Sequence, residues 1–336
     1  MPISTTQYYY HQQPFVLESG IVLQNLHVAF HTYGQLNEAK DNVIWICHAL
    51  TANSDVADWW PGMVGENLTF DTTKNCIVCA NILGSCYGTS ADGLVTENEL
   101  PKLVTIRDMV QVHILLRKYL GIQKIALLIG GSMGGYQALE WTLTEPEIIE
   151  KQAIMVTSAA ESAWGIAIHT AQRLAIEADA TWLQKGGGTN GIKAARGFGM
   201  VSYRTYQQYL KTQTDTEVEK TDGFKASSYI IHQGNKLAQR FDARHYWLLT
   251  KSMDSHNIAR GRSADSNTIL ASIHQPSLVV GISSDILCPA VEQKALAEHL
   301  PNSQFFIIDS DFGHDGFLTE TEKVGKILRD WMAGFE

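Results

Sequence analysis

Six short apolar runs, each bounded by turn residues, punctuate the chain: 43–50 (VIWICHAL), 76–83 (CIVCANIL), 125–130 (IALLIG), 152–158 (QAIMVTS), 277–282 (SLVVGI) and 304–309 (QFFIID). Each has the length of a strand. All are too continuous to be half-exposed, which predicts parallel strands covered on both faces. Helix-like stretches lie between several of them, at 106–119, 135–144, 291–299 and 320–331. Strand, helix, strand in repetition predicts an α/β fold with a mostly parallel, doubly wound sheet. Residues 13–35 read instead as antiparallel strands at one edge.

Between 162 and 272 the rhythm stops. That interval is rich in helix formers, holds the cluster Gly186-Gly187-Gly188 and contains no clear buried strand. It predicts a helical lid (162–272) inserted after the sixth strand of a core made from 1–161 and 273–336. The length of 336 residues suits one α/β body with such an insertion. Neither internal repeats nor low-complexity segments interrupt it.

Composition narrows the function classes. The chain is 45% hydrophobic and 18% charged, so it can bury a sizeable core, and its 8 Trp, 11 Phe and 12 Tyr leave large side chains for a pocket. A net charge of −9 without any Lys/Arg run argues against nucleic acid or an anionic membrane as partner. One local Arg can still bind an anionic ligand. No run of apolar residues is long enough for a transmembrane helix, and residues 1–7 lack the basic and apolar regions of a secretory leader. The cysteines number five, and Cys47, Cys76, Cys79 and Cys86 lie in or beside apolar runs, which predicts reduced thiols in a cytoplasmic protein. Cys76 and Cys79 form a C-x-x-C, but strand alternation sends positions three apart to opposite faces. No second ligand pair follows, and no His/Cys/Asp cluster has ligand spacing, so neither a metal nor a tightly held cofactor is expected.

The sharpest chemical signal is Gly130-Gly131-Ser132-Met133-Gly134-Gly135, which follows an apolar strand and precedes a helical run. A nucleophilic serine in a tight strand-to-helix turn needs that context, with glycines tolerating close backbone approach. A reactive serine also needs a base, and the base an orienting carboxylate. Around such an elbow the chain order is Ser, acid, His. Asp285 stands just past the run 277–282, and His314 just past 304–309. Both fall at the strand ends where α/β folds build active sites. Asp309 and Asp311 are rival acids, set too near His314 in sequence to orient it. The oxyanion-binding amides are assigned to Met133, after the nucleophile, and Leu50, in the loop 48–54. His48 is read as a buttress of that loop.

Together these residues resemble the homoserine O-acetyltransferase family of α/β-hydrolase-fold acyltransferases, over nearly the whole chain. The segments that carry the likeness are 48–51 (HALT), 80–88 (ANILGSCYG), 104–110 (VTIRDMV), 130–141 (GGSMGGYQALEW), 240–243 (RFDA) and 313–315 (GHD). The resemblance implies a ping-pong reaction in which Ser132 takes an acyl group from acyl-CoA, a co-substrate, and passes it to an amino-acid hydroxyl. It implies acetyl-CoA and L-homoserine as partners, in methionine biosynthesis, and a homodimer packed through the lid helices. Residues 194–196 (AAR) and 202–204 (SYR) resemble the lid segment that holds the amino acid's carboxylate, assigned to Arg196 and Tyr203. Seven residues apart, these two fall on one face of a helix. Asp315, beside the catalytic His, suits the α-ammonium. The family usually has Gly where this chain has Ala52, and the loop after Tyr87 is shorter than usual. An acetyl or succinyl donor, a homoserine or serine acceptor, and a plain ester or thioester hydrolase therefore remain alternatives.

Overall fold

In the computed structural model, which describes residues 5–262 and 264–335, the apolar runs pair into a ten-stranded sheet. The expectation of no leader rests partly on residues 1–4, which lie outside the described residues. Eight strands form one path: β1 (Gln7–Tyr10), β2 (Val22–Tyr33), β3 (Val43–Cys47), β4 (Cys76–Ala80), β5 (Ile125–Gly131), β6 (Gln152–Met155), β7 (Ser277–Ile282) and β8 (Ser303–Ile308). Their spatial order is β1-β2-β4-β3-β5-β6-β7-β8. The contacts β1·β2 and β2·β4 are antiparallel, and every later neighbour pair is parallel.

Strands β3 to β7 are buried along their whole lengths, apart from half-buried Ala126 in β5. Alternation sends their side chains into two cores. Trp45 and Cys76 join one, while Ile44, Ile46 and Cys79 join the other. Strand β8 departs from the expected two-sided cover. It ends the sheet with a single strand neighbour, and Phe306 and Ile307 remain 39% and 53% exposed. Strand β6 stops three residues earlier than its apolar run, because Val156 takes a left-handed φ of 44° and turns the chain.

Helices α1 (Ile106–Tyr119) and α2 (Met133–Thr144) cover the first core through Met109, Val112, Leu139 and Trp141. After β6 the chain runs through six helices: α3 (Ala163–Glu177), α4 (Thr189–Tyr203), α5 (Tyr206–Gln213), α6 (Lys225–Ala238), α7 (Ala243–Asp254) and α8 (Ser266–Ala271). Strand β6 is sixth in chain order along the eight-strand path. The helical excursion shares the first core through Ile176, Ile192, Leu237, Tyr246 and Leu249, so it forms one body with the sheet. Helix α9 (Ala290–His299) returns to that face, and α10 (Thr321–Ala333) covers the other through Leu328 and Trp331. The cluster 186–188 is a turn into α4: a Cβ on Gly187 would sit 1.9 Å from the Thr181 carbonyl oxygen. The Asp179 carboxylate accepts from the Asn190 and Gly191 amides at the start of α4. No helix is long and apolar enough to cross a membrane among the described residues.

Candidate active site

Ser132 occupies the turn between β5 and α2 with φ 54° and ψ −126°, a conformation sparsely populated by non-glycine residues. The surroundings hold it there. Its N–H donates to the Met155 carbonyl (2.9 Å), and its own carbonyl accepts from the Thr157 hydroxyl (3.0 Å). The turn also packs directly on β3, since a Cβ on Gly134 would lie 2.1 Å from the Cys47 carbonyl oxygen.

His314 lies in a single 3-10 turn (Gly313–Asp315) after β8, and Asp285 in the loop after β7. The imidazole Nε2 is 2.9 Å from Ser132 Oγ, and Nδ1 is 2.7 Å from Asp285 Oδ2. With Nδ1–H donating to the carboxylate, Nε2 is left to accept the serine hydroxyl proton. Asp285 has no side-chain exposure, and its other oxygen accepts from the Leu287 (2.8 Å) and Cys288 (2.9 Å) amides. Burial pulls the His314 pKa down, but the charge and hydrogen bond of Asp285 overcome it and leave the imidazole above its usual 6.5. Asp309 instead accepts from the Ser283 hydroxyl (2.9 Å), and the Asp311 carbonyl accepts from Thr205 (2.7 Å).

Leu50 and Ser132 line one cavity, and Met133 opens α2. Neither the Leu50 nor the Met133 amide has an acceptor among the described residues, so both remain available to a developing oxyanion. His48 is fully buried, accepts from the Ile82 amide and bonds the Ala49 carbonyl. Burial pushes its pKa down to about 4. It is a neutral buttress of the loop.

The cavity, about 790 Å³, is also lined by Arg196, Tyr203 and Asp315. Arg196 and Tyr203 share one face of α4, with the guanidinium 5.5 Å from the tyrosine ring centre, and that ring lies 5.8 Å from the His314 ring. Asp315 meets Arg204 Nε at 3.0 Å, so one of its oxygens already has a cationic partner. Of the Trp pair, Trp59 lines the cavity, while Trp60 is buried and stacked on it at 5.5 Å. Ala52 lines the cavity too.

Sequence reasoning missed several residues that shape the site. Arg204 directly follows Tyr203, yet its partner stands 111 positions away in sequence. Ser284 accepts from the Gly313 amide (3.1 Å) and donates to the Ser310 carbonyl, sewing the acid loop to the histidine loop. The hydroxyl pair just before Asp285 was the only available signal. Burial pushes the pKa of all five cysteines up, so none is poised as a thiolate. Among the described residues no three His, Cys, Asp or Glu side chains gather as a metal site.

The family profile described as alpha/beta hydrolase fold matches residues 42–321. A homoserine O-acetyltransferase of Trichormus variabilis is 43% identical, covering 96% of this chain and 92% of its own. The chain belongs to the homoserine O-acetyltransferase family. Among solved structures, a homoserine O-acetyltransferase from Staphylococcus aureus superposes with a TM-score of 0.82 at 28% identity, covering 98% of this chain and 95% of its own. Esterase E22 superposes at 0.87 with 22% identity, covering 98% and 100%. The backbone is thus shared by acyltransferases and esterases, and the fold alone does not choose between them. Membership of this acyltransferase family makes the chain an enzyme.

The family segments acquire physical roles here. Asn81 accepts from the Ser54 amide (2.8 Å) and donates to the Tyr87 carbonyl (2.7 Å), bracing two cavity-side loops. Thr105 and Asp108 form a reciprocal capping box that starts α1. That part of the family signature is architectural.

Proposed function

We propose that the enzyme transfers an acetyl group from acetyl-CoA to the hydroxyl of L-homoserine by a ping-pong reaction, the step that commits homoserine to methionine biosynthesis. One observation carries the reading. The hydrogen-bonded chain Ser132–His314–Asp285 opens into the same cavity as a carboxylate-matching pair, Arg196 and Tyr203. His314 Nε2 takes the Ser132 proton as Oγ attacks the thioester carbonyl. The Leu50 and Met133 amides hold the oxyanion, and coenzyme A leaves with the proton returned by His314. The homoserine hydroxyl then gives its proton to His314 and attacks the acyl-serine, releasing O-acetylhomoserine and restoring Ser132.

Water competes for the acyl-enzyme, and the same apparatus would then be an esterase. Holding a nucleophile in attack geometry offsets about 7–11 kcal/mol of barrier, enough for a positioned hydroxyl to outrun abundant water. In this reading Arg196 and Tyr203 grip the acceptor carboxylate, and the uncommitted oxygen of Asp315 takes its ammonium. The reading also places the enzyme in the cytoplasm as a homodimer packed through the lid. Exposed Trp164, Phe198, Val201 and Ile286 there border an apolar groove of about 670 Å³.

Mass spectrometry of products from acetyl-CoA or succinyl-CoA offered with homoserine or serine tests the assignment. O-acetylhomoserine as the dominant product, with coenzyme A release strongly accelerated by homoserine, is expected. Release at equal rates with and without an acceptor would assign a thioesterase instead.

A further inference from the structure

Charge on the cavity wall is distributed against the trend of the whole chain. The protein carries a net −9, yet the cavity is lined by Arg196, Arg204, Lys236 and Arg240 against only Asp58 and Asp315. Asp315 neutralises Arg204. Among the described residues the other three cations have no carboxylate partner. Arg240 spends one nitrogen on neutral acceptors, the Thr51 carbonyl (2.6 Å) and the Tyr87 hydroxyl (2.5 Å). Unpaired cations gathered at one cleft raise the local concentration of anionic ligands.

These three cations lie at different depths. Arg196 is half-buried, with its Nε shut off from solvent. Lys236 and Arg240 are exposed, four residues apart, where α6 ends. Arg196 beside Tyr203 and His314 suits a small carboxylate near the reacting atoms. The outer pair suits the end of a long ligand whose reactive group has reached Ser132. We propose that Lys236 and Arg240 form a separate outer site for the phosphates of the acyl donor's nucleotide. This inference rests on the acyl-CoA reading above. One acid, Asp58, lies near enough to act on Tyr87, the partner of Arg240, so Lys236 and Arg240 together must outweigh it. Arg240 has a second task, because its bond to Thr51 steadies the loop that carries the Leu50 amide.

A dull explanation exists for Lys236: a cation in the last turn of a helix offsets the helix dipole. Two thioesters separate the explanations. Acetyl-CoA carries phosphates, and S-acetylpantetheine presents the same thioester without them. With homoserine saturating, Lys236→Ala is expected to raise the KM for acetyl-CoA about tenfold, the loss of one charge-assisted contact. Lys236→Glu should raise it further, and Lys236→Arg should restore it. The KM for S-acetylpantetheine should stay unchanged throughout. In the unaltered enzyme, added NaCl should raise the KM for acetyl-CoA alone. Equal shifts for both thioesters, or a lowered melting temperature with neither KM moved, would overturn the proposal. Should neither thioester acylate the enzyme, the functional reading fails. The site is then judged by calorimetry with adenosine 3′,5′-bisphosphate, whose binding must weaken in Lys236→Glu if the proposal is right and overturns it if unchanged.

Discussion

At the residue scale, the His314 imidazole is held between the Ser132 hydroxyl, 2.9 Å from Nε2, and the Asp285 carboxylate, 2.7 Å from Nδ1. Burial acts to keep His314 neutral, while the Asp285 charge and hydrogen bond raise its pKa above the usual 6.5. Acylation needs the neutral ring, so kcat/KM should fall as pH drops through that raised value. The acid limb should therefore centre above 6.5. Asp285→Asn removes the stabilising charge and favours the wrong tautomer. It should move the limb to lower pH and cut kcat by about 10⁴-fold, as in analogous Ser-His-Asp sites. A pH–rate profile of coenzyme A release with each protein checks both, and a loss of less than about tenfold would point to another acid. In the proposed reaction Arg196 serves the second half-reaction. Arg196→Ala should raise the homoserine KM by roughly ten- to a hundredfold, the worth of a hydrogen bond to a charged group, while a stopped-flow acylation burst stays nearly intact. The convergence of Ser132, His314 and Asp285, and the place of Arg196 on the cavity wall, were legible because each stands at a strand end or at helical spacing within a short window. Arg204, Ser284 and Thr157 were not, because each acts on a partner far away in sequence, and only the folded chain brings the two together.

Elements were legible where burial is continuous. The helix over 106–119 was read with its true ends, since Thr105 and Asp108 write its start into the sequence. Strand ends were less legible. Nothing in QAIMVTS announces that Val156 will adopt φ 44°, a costly choice for a β-branched side chain that the neighbouring bonds impose. Strand β1 (QYYY) went unread as well, because its residues are mostly exposed and gain their pairing from β2. The capping box gives an element-scale prediction that separates architecture from chemistry. Thr105 accepts from the Asp108 amide, and the Asp108 carboxylate accepts from the Thr105 and Glu18 amides, tying the start of α1 to the N-terminal segment. Thr105→Ala should cost about 1 kcal/mol, the usual worth of an N-cap side chain, read as a lower urea midpoint with an unchanged slope. The KM values for both substrates should stay as they were, because Thr105 does not line the cavity.

For the whole molecule, the helical excursion after β6 joins two surfaces of opposite character through one helix. On its inner face α4 carries Arg196 and Tyr203 into the cavity, and on its outer face it carries Phe198 and Val201, 51% and 61% exposed. With Trp164 of α3 and Ile286 of the acid loop, the outer residues border an apolar groove. Monomers rarely leave a large contiguous apolar patch to water, and a two-fold dimer requires one self-complementary patch of about 800 Å² per partner. The groove on the outer face of α4 is where such a patch is expected here. In solution the protein should therefore show twice its chain mass of 37.3 kDa by light scattering. A Phe198→Glu, Val201→Glu double variant, which buries charge without a partner in such an interface, should run as a monomer. The kinetic consequence should be one-sided. Because the outer and inner residues ride on the same helix, losing the partner loosens α4 and raises the KM for homoserine. Acylation of Ser132 depends on the elbow and on loops outside α4, so its rate should change little. A single-chain mass for the unaltered protein at micromolar concentration would leave the apolar groove for some other occupant.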